Sequence, residues 1–159
     1  MSINHLELYA LAERLHRQFL DVVQMEIDRL GYRDLNSVRA MILYNVGSEE
    51  MTASELMWRG CYLGSNVSYN LKKLTEAGYL DHVRSTHDKR VIMIKNSSLG
   101  LEVCARLHEL SERHQLGISQ VSLDDESLLN CARMLSTLQK YWHRALLPSR
   151  GDYIRSMAA

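Results

Sequence analysis

The amino-acid sequence predicts a mainly α-helical protein with one small β-hairpin. Three observations lead to this fold class. Apolar residues recur at spacings of three and four along most of the chain, the 159 residues include one proline, and two short β-branched runs lie close together near the middle. With 46% hydrophobic and 24% charged residues, the composition excludes a disordered, collagen-like or disulfide-scaffold protein. No apolar run reaches the length of about 18 residues that indicates a membrane span, so we expect none.

The spacing predicts a long first helix over residues 3–30, ended by Gly31. Leu11, Leu15 and Phe19 follow one another at intervals of four along it. Glycine commonly follows the last turn of a helix. At about 1.5 Å per residue this helix is about 40 Å long, which exceeds what a small core can cover. We therefore expect its apolar stripe to pack against another chain.

Two shorter helices follow. Asn36 or Ser37 can cap the second helix, and Gly47 ends it. The third helix begins in a capping box, in which the Thr52 hydroxyl accepts a hydrogen bond from the backbone of Glu55 and the Glu55 side chain reaches back to Thr52.

A fourth helix is expected after a turn at residues 60–64. Val67, Leu71, Leu74 and Gly78 occupy its inward positions, and Gly78 closes it. Its opposite face is polar and basic. That face and its flanks carry Ser65, Tyr69, Lys72, Asn66, Ser68 and Lys73.

Residues 79–84 and 91–95 alternate or are β-branched, which predicts two strands joined by a polar tip at residues 85–90. Asn96, Ser97 or Ser98 can cap a fifth helix. A sixth helix is expected to begin near Ser122 and to end at Pro148, followed by a loosely held tail.

The order of these elements between about residues 36 and 95 is that of a winged helix-turn-helix. In that fold the helix after the turn enters the major groove of DNA, and the hairpin, or wing, contacts the backbone or the minor groove. The expected domains are an N-terminal dimerisation helix (1–34), a winged helix-turn-helix (35–96), C-terminal dimerisation helices (97–148) and a tail (149–159).

The charge is balanced overall but not locally. The chain has 19 basic and 19 acidic residues, yet residues 59–95 hold 7 basic and 3 acidic ones. A local basic patch can bind an anionic polymer even when the whole chain is neutral. The zero net charge leaves open a second interpretation, a winged-helix adaptor that binds protein and not DNA.

Taken together, the ordered motifs resemble the MarR family of bacterial transcription regulators over nearly the whole chain. The matching segments are Glu55-Leu56, Gly64–Ser68, Leu71, Leu74–Leu80, Asp88-Lys89-Arg90, Leu99-Gly100 and the helix start after Ser122. The sequence departs from the family pattern at Tyr69, where arginine is common, at Tyr62, where an aliphatic residue is common, and at Leu63, where a Ser or Thr cap is usual. These departures affect base contacts and leave the fold unchanged.

The resemblance implies binding to double-stranded DNA through the fourth helix and the wing. The implied DNA-binding residues are Ser65, Asn66, Ser68, Tyr69, Lys72 and Lys73 in the helix, and Arg84, His87, Asp88, Lys89 and Arg90 in the wing. Within the wing, the resemblance implies that Asp88 orients Arg90 into the minor groove. The alternative is a solvated helix face and an exposed ion pair of little energetic worth.

The resemblance further implies a small, often aromatic, effector bound between the dimer helices and the winged domain. His16, Tyr44 and Trp58 are candidates for lining that site, although each is equally explained as core. Cys61, just before the fourth helix, could be an oxidation switch if a helix N-terminus lowers its pKa, or a buried structural thiol.

Other functions find little support in the sequence. His108, Glu112 and His114 lie near one another, but they lack the spacing of a metal site, so no metal and no cofactor are expected. Gly-rich phosphate loops and nucleophile motifs are also missing, which argues against an enzyme. Three widely spaced cysteines are typical of reduced thiols, so we expect a cytoplasmic protein. We therefore predict a homodimeric, ligand-responsive transcription regulator that binds a palindromic operator, with a protein–protein adaptor or a thiol-based redox regulator as alternatives.

Overall fold

The computed structural model describes residues 4–60, 64–84, 91–120 and 124–157. It confirms the predicted mainly α-helical fold with a two-stranded hairpin. The elements are α1 (His5–Leu30), α2 (Ser37–Val46), α3 (Ala53–Gly60), α4 (Gly64–Glu76), β1 (Leu80–Arg84), β2 (Ile92–Asn96), α5 (Ser98–Ser119) and α6 (Asp125–Met157).

A polar cap begins α1 and a glycine ends it. The Asn4 side chain accepts a hydrogen bond from the Leu6 amide at 3.0 Å, and the Glu7 carboxylate accepts one from the Asn4 amide at 3.2 Å. At the other end Gly31 has the left-handed φ of 81°, which costs glycine little because it has no Cβ. The helix therefore ends where the sequence predicts and begins two residues later than expected.

Short-range caps also begin α2 and α3. Of the two candidates for the α2 cap, Asn36 is the one whose side chain accepts a bond, from the Arg39 amide at 2.9 Å. The capping box of α3 is confirmed. The Thr52 hydroxyl accepts from the Glu55 amide at 3.1 Å, and the Glu55 carboxylate accepts from the Thr52 amide at 2.6 Å.

Replacing the cap residue in Thr52→Ala is expected to lower the free energy of unfolding by about 1 kcal/mol, because the Glu55 amide loses its acceptor. Hydrogen bonds from the Thr52 backbone and side chain lower the pKa of Glu55 below its ordinary value of 4.5. The contribution of Glu55 is thus complete above that ordinary value and is lost as the pH falls through the lowered one. Urea unfolding at neutral and strongly acidic pH measures both effects. Ser54→Ala, at an exposed position in the same turn, is the control, and an equal loss there would contradict the assignment.

The buried side of α4 forms part of the hydrophobic core. Val67, Leu71 and Leu74 are buried, as their spacing predicts. They pack with residues of α1, α2, α3, the hairpin and α5 in one cluster. Gly78 was expected to point inward, but it is exposed with φ of 80°. It lies beyond the last turn of α4, where the chain reverses toward β1.

The hairpin is antiparallel and begins with the pair Leu80 and Asn96. Met51 adds a short third strand-like segment, since its amide and carbonyl both bond to Ile94, at 3.0 and 2.7 Å. This bridge fixes the chain just before α3 to the base of the wing. The expected tip, residues 85–90, lies outside the described residues.

Asn96 joins three elements instead of capping α5. Its Nδ2 atom donates to the carbonyl oxygens of Leu43, at 2.9 Å, and Gly47, at 2.8 Å. Ser97 is the α5 cap, because its hydroxyl accepts from the Gly100 amide at 3.2 Å. Of the three candidates for this cap, the structure thus selects one and gives Asn96 a different role.

Gly100 is in close contact with the chain around it. A Cβ atom at this position would lie 2.3 Å from the Tyr79 carbonyl oxygen and 2.8 Å from Asn96 Oδ1. The first turn of α5 therefore packs directly on the backbone that leads into β1. Asn96 Oδ1 is itself buried and has no hydrogen-bond partner among the described residues.

The C-terminal helix differs from its predicted extent. Asp124 caps it by accepting from the Ser127 amide at 2.8 Å. The prediction that Pro148 ends this helix is wrong, since α6 continues to Met157. A proline inside a helix removes one backbone donor, which weakens the helix locally without always ending it.

The chain divides into two compact units, residues 1–112 and 113–159. The first contains the winged helix-turn-helix elements, and the second contains α6. The expected division into four segments, including the tail, remains a prediction. Among the described residues, no helix is both long enough and apolar enough to cross a membrane.

Candidate nucleic-acid interface

The outward side of α4 is a continuous polar face. Asn66, Ser68, Tyr69 and Lys72 are exposed there, with 58% of Tyr69 accessible, whereas the opposite side is buried. Ser65 lies in the first turn of α4, but its side chain is outside the described residues. The amide, hydroxyl and ammonium groups of this face are the types that bind phosphates and base edges.

The two lysines of α4 share one carboxylate. Glu76 Oε2 lies 2.9 Å from Lys73 Nζ, and Glu76 Oε1 lies 3.8 Å from Lys72 Nζ. The hydrogen bond from Lys73 lowers the pKa of Glu76, while that same bond raises the pKa of Lys73. Lys73 and Glu76 are therefore charged at neutral pH. A phosphate that binds these lysines must compete with Glu76.

Arg39 on α2 reaches the same surface, a placement that the sequence does not reveal. Its guanidinium carbon lies 5.9 Å from the centre of the Tyr69 ring, within cation–π range. Its Nε atom donates to Asn70 Oδ1 at 3.2 Å. Arg39 lies outside the basic block at residues 59–95, and α2 and α4 meet only in the folded chain, so no local pattern signals it.

The first strand of the wing borders this surface. A cleft of about 350 Å³ is lined by Lys72, Glu76 and other residues of α4 together with His82 of β1. Arg84 is exposed at the end of β1. The structure thus places α4 and β1 side by side, as a helix and wing that share one ligand would require. The wing candidates His87, Asp88, Lys89 and Arg90 lie outside the described residues.

The candidate effector residues are spread over three helices. His16 on α1 is exposed, Tyr44 on α2 is 52% exposed, and Trp58 on α3 is half-buried. Neither the cleft beside α4 nor a second one of about 420 Å³ near the start of α5 is lined by any of them. Their role in ligand binding stays a prediction.

The candidate metal-binding residues lie on α5, and the described cysteines lie on α5 and α6. Cys61 lies outside the described residues. Cys104 is half-buried, and burial raises the pKa of its thiol, whereas Cys131 is exposed. His108 pairs with Glu112 at 3.6 Å on the exposed side of α5. Within the described ranges, no group of three or more potential ligands could hold a metal ion.

Comparison with known proteins adds sequence and fold relatives. A family described as a winged helix DNA-binding domain matches residues 35–97. The exopolysaccharide II synthesis transcriptional activator ExpG of Rhizobium meliloti is 33% identical over 143 residues, which cover 90% of this chain and 74% of that protein.

Three solved structures share the fold at low sequence identity. The regulator SlyA has a TM-score of 0.73 at 14% identity, covering 87% of this chain and 95% of its own. FabT of Streptococcus pneumoniae in complex with DNA has a TM-score of 0.67 at 16% identity, covering 89% of this chain and 99% of its own. The reduced form of MarR from E. coli has a TM-score of 0.66 at 14% identity, covering 87% of this chain and 98% of its own. The match to ExpG, with the winged-helix match over residues 35–97, shows that the chain belongs to the MarR family of DNA-binding, winged-helix transcription regulators, whose fold the solved structures share.

Proposed function

We propose that the protein binds DNA as a homodimer, on a palindromic operator, and that a small effector controls this binding. The observation that carries the proposal is the exposed polar face of α4, whose opposite side is locked into the core. A helix held in this way can present Asn66, Ser68, Tyr69 and Lys72 to a major groove without rearrangement. FabT and a MarR mutant, which share the fold, are solved in complex with DNA.

The apolar stripe of α1 supports a dimer. Leu11, Leu15 and Phe19 are 51%, 61% and 44% exposed, and they lie on one side of the helix. In the second unit, α6 also leaves Leu135 and Trp142 exposed, each at 45%. Contiguous exposed apolar patches on a folded chain commonly mark protein–protein interfaces. A second copy of this chain is the occupant that we propose.

A two-fold symmetric dimer presents two copies of α4 to the duplex. If these helices lie about 34 Å apart, they enter successive major grooves on one side of the DNA. The base sequence that they contact is then repeated in inverted order, which makes the operator palindromic.

The wing completes the proposed contact. Arg84, His87 and Lys89 supply positive or polar groups to the phosphates. Asp88 orients Arg90, whose guanidinium enters the minor groove, where a narrow groove concentrates negative potential.

The effector is proposed to be a small aromatic or phenolic molecule near His16, Tyr44 and Trp58, all of which lie on helices of the first unit. Its binding changes the spacing of the two recognition helices. The shift between the two states can be no larger than the difference between the effector's affinities for them. A sensor at Cys61 is the second mechanism, and it requires that peroxide release DNA from the wild type but not from Cys61→Ser.

Substitution of the charged groups on α4 tests the DNA contact. Lys72→Ala is expected to weaken binding by about three- to tenfold and to reduce the salt dependence by about one ion per protomer, because one phosphate contact is lost. Glu76→Gln is expected to strengthen binding by about threefold, since it removes a competing carboxylate. Fluorescence anisotropy or gel shift on DNA from upstream of the protein's own gene, over a range of salt concentrations, measures both.

The control for net charge is Lys140→Ala, at an exposed position on α6, which should bind as the wild type does. Equal affinities for all four proteins would contradict the proposed use of α4. A folded, dimeric wild type that binds no upstream fragment, with or without salt, would favour the protein–protein adaptor instead.

A further inference from the structure

We propose that Arg39 is a further DNA-binding residue, which contacts a backbone phosphate beside α4 while holding the side chains of Asn70 and Tyr69 in place. This inference rests on the proposed use of α4 as the recognition helix. It extends the DNA-binding surface from α4 and the wing to the first turn of α2.

The guanidinium group of Arg39 lies beside α4. It lies against the ring of Tyr69, on the exposed face of α4, and its Nε atom bonds to Asn70. Asn70 is held in turn by its own bond to the Asn66 carbonyl at 2.8 Å. Arg39 is thus attached to two side chains of α4, and its charge is placed next to groups that the major groove would meet.

The loop between α1 and α2 also holds Arg39 in place. Its Nη1 atom donates to the Asp34 carbonyl at 3.1 Å. The Asp34 carboxylate accepts from the hydroxyl of the buried Tyr79 at 2.9 Å. Burial, followed by this bond to Asp34, raises the pKa of Tyr79, so the hydroxyl remains a donor. The loop between α1 and α2 is therefore pinned to the core, and Arg39 is pinned to the loop.

The groups that the Arg39 guanidinium contacts are neutral. Among the residues that the structure describes, no carboxylate lies within ion-pair distance of its guanidinium. Asp34 contacts Arg39 through its backbone oxygen. Arg17, Arg29 and Arg59, in contrast, each pair with a glutamate. The positive charge of Arg39 also acts on Lys73. The pKa of Lys73 is raised, chiefly by its hydrogen bond to Glu76, and the charge of Arg39 opposes this increase. An arginine whose partners are neutral keeps its full charge for a phosphate, and its planar fork suits phosphate oxygens.

The test measures binding to a fluorescein-labelled DNA duplex of random sequence by anisotropy, because a phosphate contact does not depend on the base sequence. Arg39→Gln is expected to weaken binding about tenfold and to reduce the slope of log affinity against log salt by about one ion per protomer. Arg39→Lys keeps the charge but not the fork, so its slope should match the wild type while its affinity falls about threefold. Tyr79→Phe should weaken binding with an unchanged slope, since only the support behind Arg39 is lost.

Arg17→Gln is the matched control, because it removes the same charge from the face of α1 opposite the apolar stripe. The inference is overturned if Arg39→Gln binds as Arg17→Gln does, or if its affinity falls with no change in slope. Should Arg39→Gln lose its helical circular dichroism, Arg39→Lys decides, and wild-type affinity in that variant overturns the inference. A wild type that does not bind the duplex at low salt would instead contradict the proposed function itself.

Discussion

Leu15→Glu/Phe19→Glu is expected to convert the proposed dimer into a monomer and to weaken binding to the proposed operator by at least a hundredfold. Each glutamate would have to be buried without a partner in the proposed interface, and an unpaired buried charge costs several kcal/mol. The loss of DNA binding follows because two linked half-site contacts gain about 10²–10⁴ in affinity over one. Both side chains are already exposed in the single chain, so the fold of the winged domain should persist.

Sedimentation equilibrium gives the mass of the variant, and gel shift gives its affinity. Arg17→Glu places a carboxylate on the opposite side of the same helix and should remain dimeric. A double variant that is still a dimer would show that this stripe is covered by something other than a second copy. A monomer that binds the operator with wild-type affinity would contradict the need for two linked half-sites.

Gly100→Ala is expected to lower the free energy of unfolding by about 1–3 kcal/mol, which is the usual cost of forcing an extra methyl group into a packed site. The new Cβ would lie 2.3 Å from a backbone oxygen, that of Tyr79, which cannot turn away as a flexible side chain could. Relief of this clash requires the first turn of α5 to move. The two hydrogen bonds of Asn96 to α2 would then lengthen or break.

Gly117→Ala provides a control in the same helix. Apart from the backbone of α5 itself, no heavy atom of the described residues lies within 4 Å of the position that a Cβ would take here. Alanine should therefore raise the free energy of unfolding by about 0.5–1 kcal/mol through its better helix propensity. Urea denaturation of the two variants measures the difference. If Gly100→Ala were as stable as Gly117→Ala, the close approach between α5 and the Tyr79 backbone would be refuted.

Features that depend on neighbouring residues could be predicted from the sequence. The end of α1 at Gly31, the cap at Asn36 and the reciprocal bonds of Thr52 and Glu55 all act within four residues. The exposed face of α4 follows from helical periodicity in the same way. The winged helix-turn-helix could be inferred because it is an ordered series of such local signals.

Features that depend on packing between distant segments could not be predicted. Arg39 and Tyr69 are thirty positions apart, and only folding of the chain brings them together. Asn96 was expected among the caps of α5 because asparagine favours that position, yet its amide is used by the carbonyls of α2 instead. The low helix propensity of proline predicts that Pro148 ends α6. Propensity alone does not show that a helix can continue through one missing hydrogen bond, as α6 does.

The ion pairs of Glu76 with Lys72 and Lys73 bear on how the protein finds its operator among the rest of the chromosome. Every encounter with ordinary DNA must break these pairs, and it gains only phosphate contacts in return. At the operator the same cost is offset by base contacts that ordinary DNA does not provide. Since a genome offers about 10⁶–10⁹ competing sites, occupancy depends on the ratio of the two affinities. If α4 is the recognition helix, Glu76 lowers both affinities by a similar factor, so it leaves their ratio unchanged and raises the fraction of the protein that is not held on ordinary DNA.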